Sequence, residues 1–183
     1  VRIAFSRDEE IDQVDHDALI RIMENYTDER YSSEELASIA LIQKQVEVAG
    51  KNLKIIESPS QHVTMKQAVI EGDPNNVGFC EVILDASLEE SVASNFMSYS
   101  RKNVKEFYEK DGGIERNFFK FNSHCLVHRS VYNLGVGFDH REFQWTMIWK
   151  RVDPSTIVIV YEPLTNLDPA RDFPAPSKSL VRA

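Results

Sequence analysis

The chain has 183 residues, of which 42% are hydrophobic and 27% are charged, a balance that is ordinary for one globular domain in water. Its formal net charge of −8 argues against nucleic-acid binding that rests on charge, because phosphate contacts need clustered lysine and arginine. No apolar run approaches the ~20 residues that a membrane-spanning helix needs, and no signal-peptide segment opens the sequence.

Residues 1–32 are acidic and only loosely patterned. We therefore predict an extension or linker there, with at most a short helix near its end. The pattern that follows predicts a helix over about 33–49. Ser32 or Ser33 offers its N-cap, and Gly50 is suited to end it because glycine tolerates the backbone conformation of a C-terminal cap.

Three strand-like runs come next, and the short links between them favour an antiparallel meander. The asparagine, aspartate and proline content of residues 73–76 is typical of a turn. The three runs lie at 53–58, 62–72 and 77–87.

Two helical stretches interrupt the strands. The first begins at Ser87, which is suited to an N-cap, and the second, which is more charged, ends at Gly112 and Gly113. Alternation with a period of two then returns and predicts further strands. Strands on both sides of a helical insert predict an α+β protein with one large, mostly antiparallel sheet. The later strands lie at 114–122, 125–134, 141–152 and 156–163.

The two cysteines, Cys80 and Cys125, lie in predicted strands and form no CxxC pair. Isolated thiols of this kind are typical of reduced core cysteines in an intracellular protein. We therefore expect an intracellular, cytoplasmic location.

The histidines do not predict a metal site. His124 and His128 are four residues apart, but four residues of a strand span ~13 Å, which is too far for both rings to reach one ion. Asp139 and His140 are adjacent, and neighbours on a strand point to opposite faces, so they form no catalytic dyad without a bulge. The sequence also has no nucleophile elbow and no glycine-rich phosphate loop. We expect no enzyme activity, no metal and no cofactor.

The most basic stretch lies at residues 100–110 and carries Arg101, Lys102, Lys105 and Lys110. Two interpretations are open. These side chains could form a solvated helical face with acidic partners about one turn away. They could instead form a surface that meets lipid headgroups.

Large apolar side chains gather on one face of the strand at 141–152. They fill either a packed core or the wall of a ligand cavity, and periodicity alone does not choose between the two. On an earlier strand, Phe119 and Phe121 share one face and Phe118 lies on the other. The apolar face carries Phe143, Trp145, Met147 and Trp149, and the last predicted strand adds Ile157, Ile159 and Tyr161.

Three strings, in this order along the chain, resemble the START domain, a lipid-binding helix-grip fold of the Bet v 1-like group. VILDASLEESVASNFM is similar to the family's strand that runs into Asp-Ala-Ser and a helix. Arg141-Glu142-Phe143, followed by Trp149, resembles the family's Arg-Asp-Phe string and later tryptophan, with Glu142 in place of the usual aspartate. The closing SLVRA resembles a strand that follows a proline-containing loop.

The resemblance covers about residues 33–183 and implies an N-terminal helix, a curved, mostly antiparallel sheet and a two-helix insert after the third strand. The family continues with further strands and a C-terminal helix that covers the ligand cavity. The resemblance therefore implies a C-terminally incomplete domain that belongs to a larger multidomain chain.

The resemblance also implies a binding site on the face that carries Phe143. Met147 stands where some START domains have an arginine paired with an acid, which implies a pocket with little charge. On the neighbouring strand, His128 or Ser130 would offer a polar contact to a sterol hydroxyl or a headgroup. The expected ligand-binding residues are Phe143, Trp145, Met147, Trp149, His128, Ser130, Ile157, Ile159 and Tyr161.

The implied function is non-enzymatic binding of a lipid or sterol in an internal hydrophobic cavity, for lipid transfer or for ligand sensing within a larger protein. We expect transient membrane contact and no nucleic-acid partner. Two alternatives stay open. One is an enzyme similar to polyketide cyclases and aromatases on the same fold, and the other is a protein-interaction module whose cavity is filled by its own side chains.

Overall fold

The computed structural model describes four stretches of the chain, which are residues 7–25, 31–69, 76–164 and 180–182. The chain divides into two compact units. The smaller unit is Arg30–Ser87, and the larger unit combines Val1–Glu29 with Leu88–Ala183.

The described stretches contain four helices and eight strands, and none of these helices is long and apolar enough to cross a membrane. Their order is the one that the sequence predicts, with one further helix before it and one short strand after it. The helices are α1 (Arg7–Glu24), α2 (Ser33–Gly50), α3 (Leu88–Phe96) and α4 (Arg101–Glu109). The strands are β1 (Lys54–Ile56), β2 (Val63–Val69), β3 (Asn76–Val82), β4 (Gly113–Lys120), β5 (Cys125–Tyr132), β6 (His140–Asp153), β7 (Thr156–Pro163) and β8 (Leu180–Arg182).

The smaller unit is a helix followed by a three-stranded meander. A capping box starts α2: the Ser32 hydroxyl accepts a hydrogen bond from the Glu35 backbone N–H, and the Glu35 carboxylate accepts one from the Ser32 N–H. β1, β2 and β3 then pair as antiparallel neighbours in that order. The predicted helix and meander are confirmed, whereas the predicted turn at 73–76 falls mostly outside the described residues.

The larger unit holds an antiparallel sheet in the order β4-β5-β6-β7, and β8 pairs in parallel with the first residues of β6. β6 is 14 residues long, so it pairs with β5 on one side and with β7 and β8 on the other. The described strands thus form two hydrogen-bonded sheets, where the sequence predicted one large sheet. Strand order along the chain does not reveal which strand edges pair across a helical insert.

The N-terminal segment, which we predicted to be an extension or linker, contributes a helix to the core of the larger unit. On α1, Leu19 and Met23 are buried in the same cluster as Phe96 of α3. The Asp12 carboxylate accepts hydrogen bonds of 3.0 Å from the first two backbone N–H groups of α4, at Arg101 and Lys102. This carboxylate therefore ties α1 to the N-terminus of α4, where the helix dipole favours negative charge.

Alternation along the strands divides the sheet of the larger unit into two faces. The register of β5 and β6 places His128 opposite Trp145 and Ser130 opposite Phe143. The register of β4 and β5 places Phe118 opposite His128 on the same face. Side chains of α1 and α3 pack against this face, which we call the helix-covered face.

The opposite face of the sheet carries a buried network of ion pairs. Arg129 is 1% exposed, and its guanidinium contacts the carboxylates of Glu142 and Glu115. Gln144 also donates a hydrogen bond of 2.6 Å to Glu142. Glu142, which stands in place of the aspartate of START domains, therefore points away from the helix-covered face. A buried charge that loses its partner costs about 3–5 kcal/mol, so this network opposes any slip of the β5–β6 register.

Candidate functional site

One half of the helix-covered face is closed core. Leu126, Met147 and Trp149 are each at most 1% exposed. They pack in one cluster with Met23 of α1 and Phe96 of α3. We call this part the filled half of the face, because its large side chains are enclosed by other side chains of the same chain.

Toward the start of β6, the fully buried cluster gives way to a group of partly exposed aromatic rings. The rings of Phe143 and Trp145 are 6.1 Å apart between centroids, and the Tyr132 ring lies 5.6 Å from Phe143. The His128 ring lies 4.6 Å from Trp145 and stacks on Phe118 at 4.7 Å. These five residues, which we call the aromatic half, are only partly buried except for His128. Partly exposed rings beside a packed core are suited to form a ligand surface.

A guanidinium group lies within the aromatic half. Arg116 of β4 donates from Nε to His128 Nε2 at 2.9 Å and from Nη1 to the backbone oxygen of Asn103 at 3.3 Å. Its Cζ atom lies 4.6 Å from the ring centroid of Phe107 and 5.3 Å from that of Phe118. Hydrogen bonds and cation–π contacts therefore hold this cation against the sheet.

The His128 ring is neutral. Burial, and after it the nearby charge of Arg116, lowers the pKa of His128 from 6.5 to about 3. Nε2 accepts the Arg116 N–H, and Ser130 Oγ lies 2.5 Å from the same nitrogen. Because Nε2 is the acceptor, the ring proton resides on Nδ1. That Nδ1 atom is buried and has no hydrogen-bond partner among the described residues.

A second buried donor beside it is also unsatisfied. Trp145 Nε1 is buried and has no partner in the described part of the chain. By contrast, Trp149 Nε1 in the filled half donates to the backbone oxygen of Ser123 at 2.9 Å. Buried polar groups nearly always have partners, and each unsatisfied one costs about 1–3 kcal/mol. These two neighbouring N–H groups are therefore available to an acceptor from another molecule.

The structure brings all nine expected binding residues to the helix-covered face, but it divides them between the two halves. Met147 and Trp149 belong to the filled half, and Ile157 and Ile159 pack against it while partly exposed. Tyr161 lies opposite Met147 on β7 and is 45% exposed. Phe143, Trp145, His128 and Ser130 remain at the aromatic half, and the role of all nine in binding stays a prediction.

Sequence analysis missed Arg116, although it lies on a predicted strand. Alternation on that strand places Arg116 and Phe118 on one face and Phe119 on the other, but it does not show which face the helices cover. The structure shows Phe119 to be 53% exposed on the opposite face. The expectation of little charge rested on Met147 alone and took no account of a cation on a different strand.

The basic stretch of α4 has the acidic partners of a solvated helical face. Arg101 Nη1 lies 3.4 Å from Asp12 Oδ1, and Lys110 Nζ lies 2.9 Å from Glu106 Oε1. Both lysine and arginine remain largely exposed in these pairs. The Lys110–Glu106 pair matches the first of the two interpretations, whereas the partner of Arg101 belongs to α1.

Of the two histidines considered as metal ligands, only His128 lies on β5. His128 lies in the middle of the strand, whereas His124 precedes it and its backbone N–H donates to Asn122 Oδ1 at 2.8 Å. Over the described ranges, no three His, Cys, Asp or Glu side chains gather as a possible metal site.

Comparison with solved structures identifies the fold, whereas no family model and no curated protein matches the sequence. The STAR-related lipid transfer protein from Xanthomonas axonopodis aligns with a TM-score of 0.55 and 13% identity over 72% of this chain and 67% of that one. The lipid transfer and protein localization domain of human StarD13 (DLC2) aligns with a TM-score of 0.52 and 18% identity, over 78% of this chain and 71% of that domain's chain. Human STARD10 aligns with a TM-score of 0.58 and 13% identity, over 88% of this chain and 60% of the STARD10 chain. The chain therefore has a START-like helix-grip fold of the α+β class, as the resemblance implied.

We predict that His128 makes the folded state sensitive to acid. Between the ordinary pKa of 6.5 and the folded-state value of about 3, the unfolded chain binds one proton more than the folded chain. The free energy of unfolding therefore falls as pH falls below about 6.5, by about 1.4 kcal/mol for each pH unit. His128→Gln should lower the slope of the unfolding free energy against pH by the equivalent of about one bound proton. Urea unfolding from about pH 6 to pH 4 measures this slope.

The exposed His62→Gln is the matched control for this measurement and should keep the wild-type slope. The same slope in His128→Gln and in the wild type would show that His128 is not the buried neutral group described above.

Proposed function

We propose that this protein binds one hydrophobic ligand, a lipid, between the aromatic half of the sheet and the helices of the larger unit. The observation that carries the proposal is the pair of unsatisfied donors, His128 Nδ1 and Trp145 Nε1, set among partly exposed rings. The apolar body of the ligand would cover the rings, and one polar atom would accept from the donors. Burial of apolar surface, at ~25 cal/mol per Å², would supply most of the binding free energy.

The nature of the structural neighbours supports a lipid as the ligand. The bacterial protein and the StarD13 domain are both named for lipid transfer. A ligand held mainly by rings, with few polar contacts, fits the same class of molecule. We infer that the role is lipid transfer or lipid sensing, and the two cysteines, which form no disulfide, support a cytoplasmic setting.

Binding without catalysis is the better interpretation of the polar groups. A general base at neutral pH needs a pKa near 7, whereas that of His128 is about 3. The Nε2 lone pair of His128 is also occupied by the Arg116 N–H. The ring can therefore donate a hydrogen bond from Nδ1 but is poorly suited to take a proton from a substrate.

Retention of lipid from an extract tests this proposal. The pure protein is incubated with a total lipid extract, separated by gel filtration and analysed by mass spectrometry, and we expect a lipid to stay bound at near one equivalent. Trp145→Ala should lower the affinity for that lipid ~10-fold or more, because a large ring of the wall is lost. Phe119→Ala removes a ring of similar size that is 53% exposed on the opposite face, and it should leave retention unchanged.

A folded wild-type protein that retains no lipid would contradict the proposal. That result would favour the interaction module, in which side chains of the protein itself occupy the whole face. Equal loss in Trp145→Ala and Phe119→Ala would show that the ligand does not lie on the aromatic half.

The loop between β5 and β6 supports transient membrane contact, which we propose as the route by which lipid enters. Three large apolar side chains on this loop are exposed: Leu134 by 46%, Val136 by 104% and Phe138 by 67%. Gly135 and Gly137 alternate with them and have φ angles of +96° and +90°, which glycine adopts at low cost. The exposed side chains thus lie on a turn whose conformation depends on glycine, and not on a strand that could pair with another strand.

This loop lies at the end of the sheet where the aromatic half is found. Tyr132 ends β5 immediately before the loop, and Phe143 follows it near the start of β6. Exposed apolar side chains gain free energy when they enter the boundary between headgroups and acyl chains. A lipid leaving the membrane at the loop would therefore meet the rings of the aromatic half first.

We predict that the double variant Val136→Asp, Phe138→Asp binds less to phosphatidylcholine vesicles, because two carboxylates replace the apolar tip of the loop. Co-sedimentation should fall ~10-fold or more, since each change both removes apolar burial and adds a charge. Val14→Asp, at a side chain 67% exposed on α1, is the control and should sediment like the wild type. Equal sedimentation of all three proteins would remove the loop from the proposal.

A further inference from the structure

We infer, on the basis of the proposed function, that the polar end of the ligand is anionic, a carboxylate or a phosphate, and that Arg116, His128 and Trp145 bind it. The resemblance to START domains implied a sterol hydroxyl or a headgroup as the partner of His128 or Ser130, and an anionic group is a narrower choice. The inference depends on two observations about this site, which are an unneutralised cation and an excess of hydrogen-bond donors.

The charge of Arg116 is not balanced by an acid nearby. In the described stretches its guanidinium contacts His128, the Asn103 carbonyl and the faces of Phe107 and Phe118, none of which carries negative charge. Asp111 acts on it only through a longer-range attraction. Partial withdrawal of this cation from water is unfavourable until an anion approaches it.

Other partly or fully buried arginines of the larger unit show the usual arrangement. Arg129 contacts the carboxylates of Glu142 and Glu115, and Arg151 contacts that of Glu89. Arg116 differs from both because aromatic rings and neutral acceptors surround it. Glutamates thus contact Arg129 and Arg151, whereas no carboxylate of a described residue contacts Arg116.

Donors outnumber acceptors among the groups of this cluster. His128 Nδ1–H and Trp145 Nε1–H have no acceptor, and the Nη2 group of Arg116 makes no hydrogen bond to a described residue. The lone pair of His128 Nε2 is taken by the Arg116 N–H. A ligand hydroxyl would bring its own proton to a cluster in which the Ser130 oxygen still offers lone pairs, whereas carboxylate and phosphate oxygens only accept and so match the donors.

The three side chains that carry these donors are neighbours on one face of the sheet. Arg116 Nε lies 2.9 Å from His128 Nε2, and the His128 ring centroid lies 4.6 Å from that of Trp145. They belong to the neighbouring strands β4, β5 and β6, so the sheet fixes their positions. Charge-assisted hydrogen bonds to such a group are about twice as strong as those between neutral partners.

Equilibrium dialysis with matched lipids tests the inference. Oleic acid is compared with methyl oleate, and oleoyl lysophosphatidic acid with monoolein, so that each pair differs in the charge at its polar end. We expect the wild type to bind the anionic member of at least one pair ~10-fold more tightly. A larger ratio for the first pair would identify a carboxylate as the ligand group, and a larger ratio for the second would identify a phosphate.

Arg116→Met, which keeps an unbranched side chain between Phe107 and Phe118, should abolish this preference, so that the ratio of the two affinities within each pair falls to about 1. Lys120→Met is the control, because it removes a positive charge from the same face of the same strand, and it should keep the preference. Circular dichroism and urea unfolding establish that each variant is folded.

Wild-type protein that binds the charged and neutral members of both pairs equally would overturn this inference and leave the proposed lipid binding intact. Binding of none of the four lipids would overturn both. Loss of the preference in Lys120→Met as well as in Arg116→Met would show that general positive charge, and not the Arg116 cluster, selects the anion.

Discussion

The register between β5 and β6 is the constraint on which the rest of the site depends. It places His128 opposite Trp145 and Ser130 opposite Phe143, and a shift by one residue would turn every one of these side chains to the other face. On that other face, the same shift would separate Arg129 from Glu142. A buried ion pair on one side of the sheet thus stabilises the alignment of a candidate binding surface on the other side.

The helix-covered face performs two different tasks along its length. In the filled half, Met147 and Trp149 are completely packed and the Trp149 indole N–H has an acceptor. In the aromatic half, rings stay partly exposed and the corresponding N–H of Trp145 has none. The first arrangement stabilises the fold and the second is suited to bind another molecule, because unsatisfied donors and exposed rings both favour an added partner.

Local pattern predicted most of the elements, and it failed where the deciding contact was distant. The capping box at Ser32 and the alternation around Trp145 were sufficient for α2 and β6, because both signals lie within a few residues. The core role of Leu19 was not predictable, since the residues that bury it lie on α3 and the sheet. The position of Arg116 on the helix-covered face was not predicted for a related reason. Period-two alternation shows which residues share a face, but not whether that face meets helices or solvent.

The indole signals of the two tryptophans provide the most direct test of where a ligand binds. In protein labelled with ¹⁵N-tryptophan, addition of oleate should move the Trp145 indole signal downfield, because its N–H gains an acceptor. The Trp149 signal should stay in place, since that N–H already donates to Ser123 in the filled half. A Trp145 signal that does not move when oleate is bound, or equal movement of both signals, would contradict a site on the aromatic half.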